Sequence, residues 1–171
     1  MNETLKSAIT WASLPLYFVQ GHWVRSNTIR MAPAVCPRTG TKGSSTSILP
    51  GRGEEIRLLV IGASSAAGVG VSSMDESLGA HMASLLNEKT GRPVSYFAIG
   101  FNSAVASELR DEVVGNLAHR EWTHIVISIG INDTKNFYSV SRWKKGFGRL
   151  LFALSARFPG ALIIWPEFLA G

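Results

Sequence analysis

Apolar and polar positions change rhythm several times along the chain, and the changes divide it. Residues 8–24, AITWASLPLYFVQGHWV, are largely apolar, but Pro15, Gln20, Gly21 and His22 interrupt them. A stretch of this length lies at the lower limit for a membrane span. Lys6 alone makes a poor basic leader, and no small-x-small cleavage site follows closely. Two readings stay open. One is an interfacial helix anchored by Trp11, Tyr17 and Trp23, with Arg25 and Arg30 behind it, touching a membrane surface through residues 8–30. The other is a helix packed on the rest of the chain. Residues 32–55 keep no apolar period and are rich in Pro, Gly, Ser and Thr, which predicts a linker. The expected organisation is an N-terminal segment 1–31, a linker 32–55 and a folded domain 56–171.

Within that domain the pattern alternates between two periods. IRLLVIG (56–62) is a short branched apolar run ending in Gly, which predicts a buried strand. Asp75 to Lys89 follows as a helix, with Leu78, Met82, Leu85 and Leu86 on one face and Gly91 as its C-cap. PVSYFAIG (93–100) reads as a second strand. Residues 103–118 are helical by period, since Val105, Leu109, Val113 and Leu117 recur every four residues. HIVISIG (124–130) is a third strand, and 141–158 place Trp143, Phe147, Leu150, Leu151 and Leu154 on one stripe. ALIIW (161–165) is a fourth strand, stopped by Pro166. The order βαβαβαβ with strands this apolar predicts an α/β fold, a three-layer α/β/α sandwich around a parallel sheet. In such folds ligands bind at the carboxyl ends of the strands. Chemistry is therefore expected just after residues 61, 99 and 129.

Composition narrows the picture. The chain has 171 residues, enough for one domain, with 46% hydrophobic and 17% charged residues, which excludes a long disordered or repetitive protein. The net charge of +5 is unevenly placed. Residues 1–52 carry Lys6, Arg25, Arg30, Arg38, Lys42 and Arg52 against Glu3, so the remainder is balanced. The basic part can meet anionic lipid by Coulomb attraction. The body has no basic stripe interleaved with aromatics, which argues against nucleic-acid binding. The single cysteine, Cys36, excludes an internal disulfide and a thiolate metal cluster. No metal or organic cofactor is implied, and a cytoplasmic or membrane-associated location is favoured.

The strand-end loops carry the candidate chemistry. After the first strand comes Gly62-Ala63-Ser64-Ser65-Ala66-Ala67-Gly68-Val69-Gly70. A Walker loop fails here, because five residues separate Gly62 from Gly68 and no Lys follows. A dinucleotide loop fails too, because Ser73 stands where its last Gly belongs and no acid ends the second strand. What remains is a small-residue loop presenting hydroxyls, as a nucleophilic serine requires, although Ser-rich turns also commonly cap the next helix. After the third strand comes Gly130-Ile131-Asn132-Asp133, where the Asn132 amide could hold an oxyanion or simply make a turn. After the second comes Gly100-Phe101-Asn102-Ser103, able to offer a backbone N–H to the same point.

Taken together, these loops resemble the blocks of the SGNH (GDSL-like) hydrolase family. That family has a Gly-Asp-Ser near the start of its domain, a Gly after the second strand, Gly-x-Asn-Asp after the third and Asp-x-x-His near the C-terminus. Gly62-Ala63-Ser64 stands for the first block, and Gly130-Ile131-Asn132-Asp133 matches the third completely. The continuation AAGVGV after the serines is also familiar from the family. Residues 56–166 follow its block order and spacing. The resemblance implies a flavodoxin-like SGNH fold and a serine ester hydrolase needing no cofactor. Ser64 would be the nucleophile. Its own N–H, a second-block N–H from Gly100 or Ser103, and the Asn132 side chain would form the oxyanion hole. The substrate would be a small ester of an alcohol, sugar or lipid.

Three departures accompany the match. Ala63 replaces the family Asp, which orders the loop and is not the catalytic acid. Ser103 sits where the second-block Gly would be if the following helix sets the register. No Asp-x-x-His occurs, and His22, His81, His119 and His124 are each better explained as structural or exposed. The expected account is a domain truncated at the C-terminus, whose strand at 161–165 is short of cover. Its alternative is an inactive SGNH-fold domain that binds a ligand or a membrane.

Overall fold

The structure, a computed structural model, describes residues 3–29, 31–32, 45–117 and 120–166. The chain divides into two compact units, Met1–Met31 and Ala32–Gly171. The first is built around helix α1 (Glu3–Asn27), which contains Pro15. Ser13, Asn27 and Thr28 turn their side chains back onto carbonyls one turn earlier, a local bond that suits polar residues on an otherwise apolar helix. Trp11, Phe18, Val19 and Trp23 are all exposed. No described helix is long and apolar enough to cross a membrane.

The second unit is a five-stranded sheet in the order β1-β3-β2-β4-β5. Its strands are β1 (Ser45–Leu49), β2 (Ile56–Gly62), β3 (Val94–Gly100), β4 (His124–Ser128) and β5 (Leu162–Ile164). The last four run parallel, as the apolar pattern predicts. β1 runs antiparallel on β3, with Ser45 opposite Ala98 and Leu49 opposite Val94. This corrects the expected linker 32–55, of which residues 45–49 belong to the sheet. An edge strand is held by the backbone groups of its neighbour, so it needs no apolar run of its own.

Alternation along β2 explains the layers. Leu58 and Val60 face one side, among Met74, Ala80, Ala83 and Val126. Leu59 and Ile61 face the other, among Leu109, Ile127, Leu150 and Leu154. Both faces are covered, so β2 is apolar at nearly every position. Helix α2 (Leu78–Thr90) covers the first face. Ser77 caps its start and Gly91 ends it in the left-handed conformation.

The inward face of α2 differs from the expected one. Gly79, Ala80 and Ala83 are buried, whereas Leu85 is 55% exposed and Leu78, Met82 and Leu86 only flank the contact. The helix lies too close to the sheet for large side chains between them. A Cβ on Gly79 would stand 2.9 Å from the Ala98 Cβ.

The other face is covered by α3 (Ala106–Glu108) with its continuation and by α5 (Val140–Arg157). The expected helix over 103–118 starts only at Ala106 and is irregular. It widens to a π-helical turn over Leu109–Val113 and then tightens to a 3-10 turn over Val114–Asn116. Apolar residues spaced four apart drift around a helix of 3.6 residues per turn. A wider turn keeps Val105, Leu109 and Val113 all inward, and each is buried. Helix α5 is capped by Ser139 and buries Phe147, Leu150 and Leu154. On β5, Ile163 packs against this core while Leu162 and Ile164 are exposed.

Candidate active site

Among the parallel strands the chain starts at β2, steps outward to β3, then crosses back to β4 on the other side. Such a switch point opens a crevice beyond the carboxyl ends of the strands. Gly62 ends β2 level with Gly100 of β3 and Ser128 of β4. Ser64, Ser103 and Asn132 follow these ends by a few residues, so all three loops lie on one sheet edge.

The strand ends approach closely. A Cβ on Gly62 would stand 2.4 Å from the Ser128 carbonyl oxygen, and one on Gly100 2.4 Å from the Gly62 carbonyl oxygen. Both positions therefore require glycine for contact with the neighbouring backbone. The Ala63 N–H donates to the Ser128 carbonyl at 3.0 Å. Ala63, in the place of the family Asp, is 6% exposed and belongs to the core under α5. Its methyl thus fills apolar space where a carboxylate would be desolvated.

Beyond Ala63 the chain coils on itself. The Ala67 N–H donates to the Ala63 carbonyl and the Val69 N–H to the Ser64 carbonyl. Ser64 is half-buried, and its hydroxyl hydrogen-bonds no described residue. The Ser65 hydroxyl, by contrast, is paired with the Ser128 hydroxyl at 2.6 Å. Of the two loop serines, Ser64 is the one whose hydroxyl has no partner among the described residues.

In the second loop Gly100 belongs to the sheet ladder, whereas Ser103 sits in the turn beyond it, exposed and with φ of +66°. That is the left-handed conformation glycine favours, which is what a serine standing at a glycine position would show.

The third loop is fastened to the second. Gly130 has φ of +131° and opens the short helix α4 (Ile131–Lys135). The Asn132 Nδ2 donates to the Ala104 carbonyl at 3.0 Å. An amide nitrogen carries two N–H groups, so this bond fixes the side chain and leaves a second donor. Asp133 is 3% exposed, and its Oδ2 has no hydrogen-bond partner. Burial raises its pKa, against the lowering pull of the Ala106 and Asp133 backbone N–H groups.

Among the described residues no histidine completes a triad with Ser64. His124 opens β4, opposite Leu58 and Leu162, at the far edge of the sheet. Burial, followed by Arg92, lowers its pKa, and its Nδ1 is paired with the Thr123 hydroxyl. His81 is exposed on α2 and makes no ring hydrogen bond to a described residue. His22 belongs to the first unit, and His119 lies outside the described residues. A cleft of about 490 Å³ also opens at the far edge, between Arg57, Arg120, Trp122 and Arg157. It shares no residue with the three loops. Among the described residues no His, Cys, Asp and Glu cluster could hold a metal.

Three residues near the site escaped the sequence reading. Ser128 ends an otherwise apolar strand, and that polar interruption was its only signal. Trp165 donates its indole N–H to the Ile129 carbonyl at 3.2 Å and packs at a tilt against the rings of Trp143 and Phe147. Phe137 is 85% exposed with φ of +54°, and no residue pattern announces that.

The sheet order and the serine and asparagine loops on its carboxyl edge define an α/β protein of the SGNH class. The chain belongs to the GDSL-like Lipase/Acylhydrolase family, whose profile matches residues 60–171. Solved structures share the fold. AlinE4, described as an SGNH-hydrolase family esterase, matches with a TM-score of 0.55 at 19% identity, over 66% of this chain and 59% of its own. A variant of the same esterase reaches 0.57 at 19% identity, over 67% and 59%. The psychrotrophic esterase EstA from Pseudoalteromonas sp., solved with monoethylphosphonate as inhibitor, gives 0.52 at 16% identity, over 64% and 57%. The chain thus spans under two thirds of the length of these esterases. No curated protein matched the chain.

Proposed function

We propose that the carboxyl edge of this sheet is the ester-hydrolysing site of an SGNH-type serine hydrolase. The observation that carries the proposal is the fastening of Asn132 to the Ala104 carbonyl at 3.0 Å, within the family match that also spans Ser64. The Ser64 Oγ attacks the ester carbonyl, and the developing oxyanion takes hydrogen bonds from the second Asn132 N–H and from backbone N–H groups of Ser64 and Ser103. Ser103 suits this role better than Gly100, whose place in the ladder serves strand contact. The ester C–O bond breaks, the alcohol leaves with a proton, and water releases the acyl group from Ser64. The substrate class is a carboxylic ester of a small alcohol, sugar or lipid.

The Ser64 proton needs an acceptor, and the sequence has no Asp-x-x-His. Loss of the triad histidine costs roughly 10⁴–10⁶ in rate, leaving oxyanion and binding contributions. Turnover of a short-chain aryl ester by this chain should accordingly be slow yet above water. Ser64→Ala should lower it to what the oxyanion and binding contacts alone supply, and Asn132→Ala should lower it by about 10²–10³. Equal, water-like rates for the unaltered chain and Ser64→Ala would instead support an inactive domain of the same fold.

A second reading concerns α1. Its exposed Trp11, Tyr17 and Trp23, with Lys6 and Arg25 on the same helix, suit the boundary of an anionic membrane. Vesicles rich in phosphatidylserine should carry the chain in flotation, and deletion of residues 1–31 should release it. Equal flotation of both forms would end this reading.

A further inference from the structure

The amino edge of the sheet, opposite the proposed site, gathers positive charge that the fold does not use up. Arg57 stands at the start of β2, Arg120 and Trp122 in the approach to β4, and Arg157 at the end of α5. All four line the cleft of about 490 Å³. Each guanidinium is anchored. The Arg57 Nε donates to the Glu121 carbonyl, and the Arg120 Nη2 to the Ser95 hydroxyl at 2.7 Å. The Arg157 Nη1 and Nη2 donate to the Gly115 and Leu117 carbonyls. Arginine carries five N–H donors in a planar fork. These bonds occupy one or two of them and hold the others in place.

Two buried donors add to these. The Trp122 Nε1 and the Arg157 Nε meet no acceptor among the described residues, and Trp122 is 6% exposed. Native structures rarely leave such groups unpaired. The nearby carboxylates do not answer the charge. Glu121 lines the cleft, but its side chain is 94% exposed and stands 3.6 Å from Arg57. Glu55 stands 3.8 Å from Arg120 and is not part of the lining. Both pairs are too long for hydrogen bonds, and solvent-screened pairs contribute little. Three anchored cations with spare donors fit an anion of more than one charge. A phosphate monoester carries about −1.5 to −2 at neutral pH and three acceptor oxygens. The cleft has the size of a small-molecule site, and Phe158 and Pro159 add apolar wall to it.

We propose that this cleft binds a small phosphate monoester, its phosphate held by Arg57, Arg120 and Arg157 and its organic part set against Phe158 and Pro159. The site shares no residue with the Ser64 edge and does not depend on the ester-hydrolase reading. Calorimetry on the full chain at low ionic strength tests it with phenyl phosphate, benzoate and inorganic phosphate. Phenyl phosphate should bind roughly tenfold or more tighter than benzoate, which keeps the ring but carries one charge. It should also bind tighter than inorganic phosphate, which lacks the ring. Arg57→Gln and Arg120→Gln should each weaken it roughly tenfold, the worth of a charged hydrogen bond. Lys144→Gln, the same loss of charge at an exposed position of α5, should leave it unchanged.

A second measurement needs no variant. Phenyl phosphate should protect Arg57 and Arg120 of the unaltered chain from phenylglyoxal, read by peptide mass, while the exposed Arg142 stays reactive. The proposal is overturned if phenyl phosphate does not bind, or if benzoate or inorganic phosphate binds as tightly. It is overturned if binding survives both arginine changes, or if Lys144→Gln weakens it as much, which would make net charge the cause. Protection of every arginine alike, or of none, overturns it as well.

Discussion

A single methyl group decides how closely the strand ends of this sheet approach. At Gly100 it would stand 2.4 Å from the Gly62 carbonyl oxygen and 2.7 Å from that of Ala63. Both neighbours are backbone and cannot swing aside. Gly100→Ala should therefore destabilise the fold by about 1–3 kcal/mol or more, as overpacking does, read as a lowered urea midpoint at unchanged slope. An unchanged midpoint would mean that the edge is looser than described. Asp133 adds a pH effect. Its folded pKa is raised by burial above the ordinary 3.8, so the folded state holds the proton more tightly than the unfolded one. Below the unfolded pKa this costs nothing. As pH rises from there through the folded pKa, stability falls. Asp133→Asn cannot ionise, so the unaltered chain should lose stability relative to the variant as the solution leaves the acid range. Parallel urea midpoints for the two proteins across that range would refute the assignment.

At the scale of elements, small residues govern one helix and a wide turn another. Ala83 faces the sheet from α2 with no exposure, whereas Leu85 points outward. Ala83→Leu should cost about 1–3 kcal/mol, and Leu85→Ala should stay within about 0.5 kcal/mol, as surface changes do. Thermal unfolding of both variants checks this, and the reverse order would restore the expected leucine face. The parallel strands β2, β3 and β4 were legible in the sequence because each lies under helices on both faces and so reads as an apolar run; β5 was legible as a short apolar run as well, although Leu162 and Ile164 are exposed. The face of α2 was not, because hydrophobic periodicity rewards large residues, and here closeness to the sheet excludes them. β1 left no pattern because its neighbour supplies what holds it. The π-helical turn was visible only as a four-residue spacing, which an ordinary helix does not keep.

For the whole molecule, the order β3-β2-β4 places the Ser64 and Asn132 loops on either side of the switch point. The motifs were legible as Gly62-Ala63-Ser64 and Gly130-Ile131-Asn132-Asp133, and the family profile spans both. The bonds that fasten them were not legible: Asn132 reaches Ala104 across 28 positions, and Ser65 reaches Ser128 across 63. Such contacts arise from topology and leave no local trace. The proposed nucleophile on this edge is Ser64. The most direct measurement of that role is the intact and peptide mass of the full chain after long incubation with an alkyl fluorophosphonate. A single phosphonyl adduct on the peptide holding Ser64, lost in Ser64→Ala and slowed in Asn132→Ala, is the predicted result. An unmodified chain, or an adduct that persists in Ser64→Ala, would contradict it.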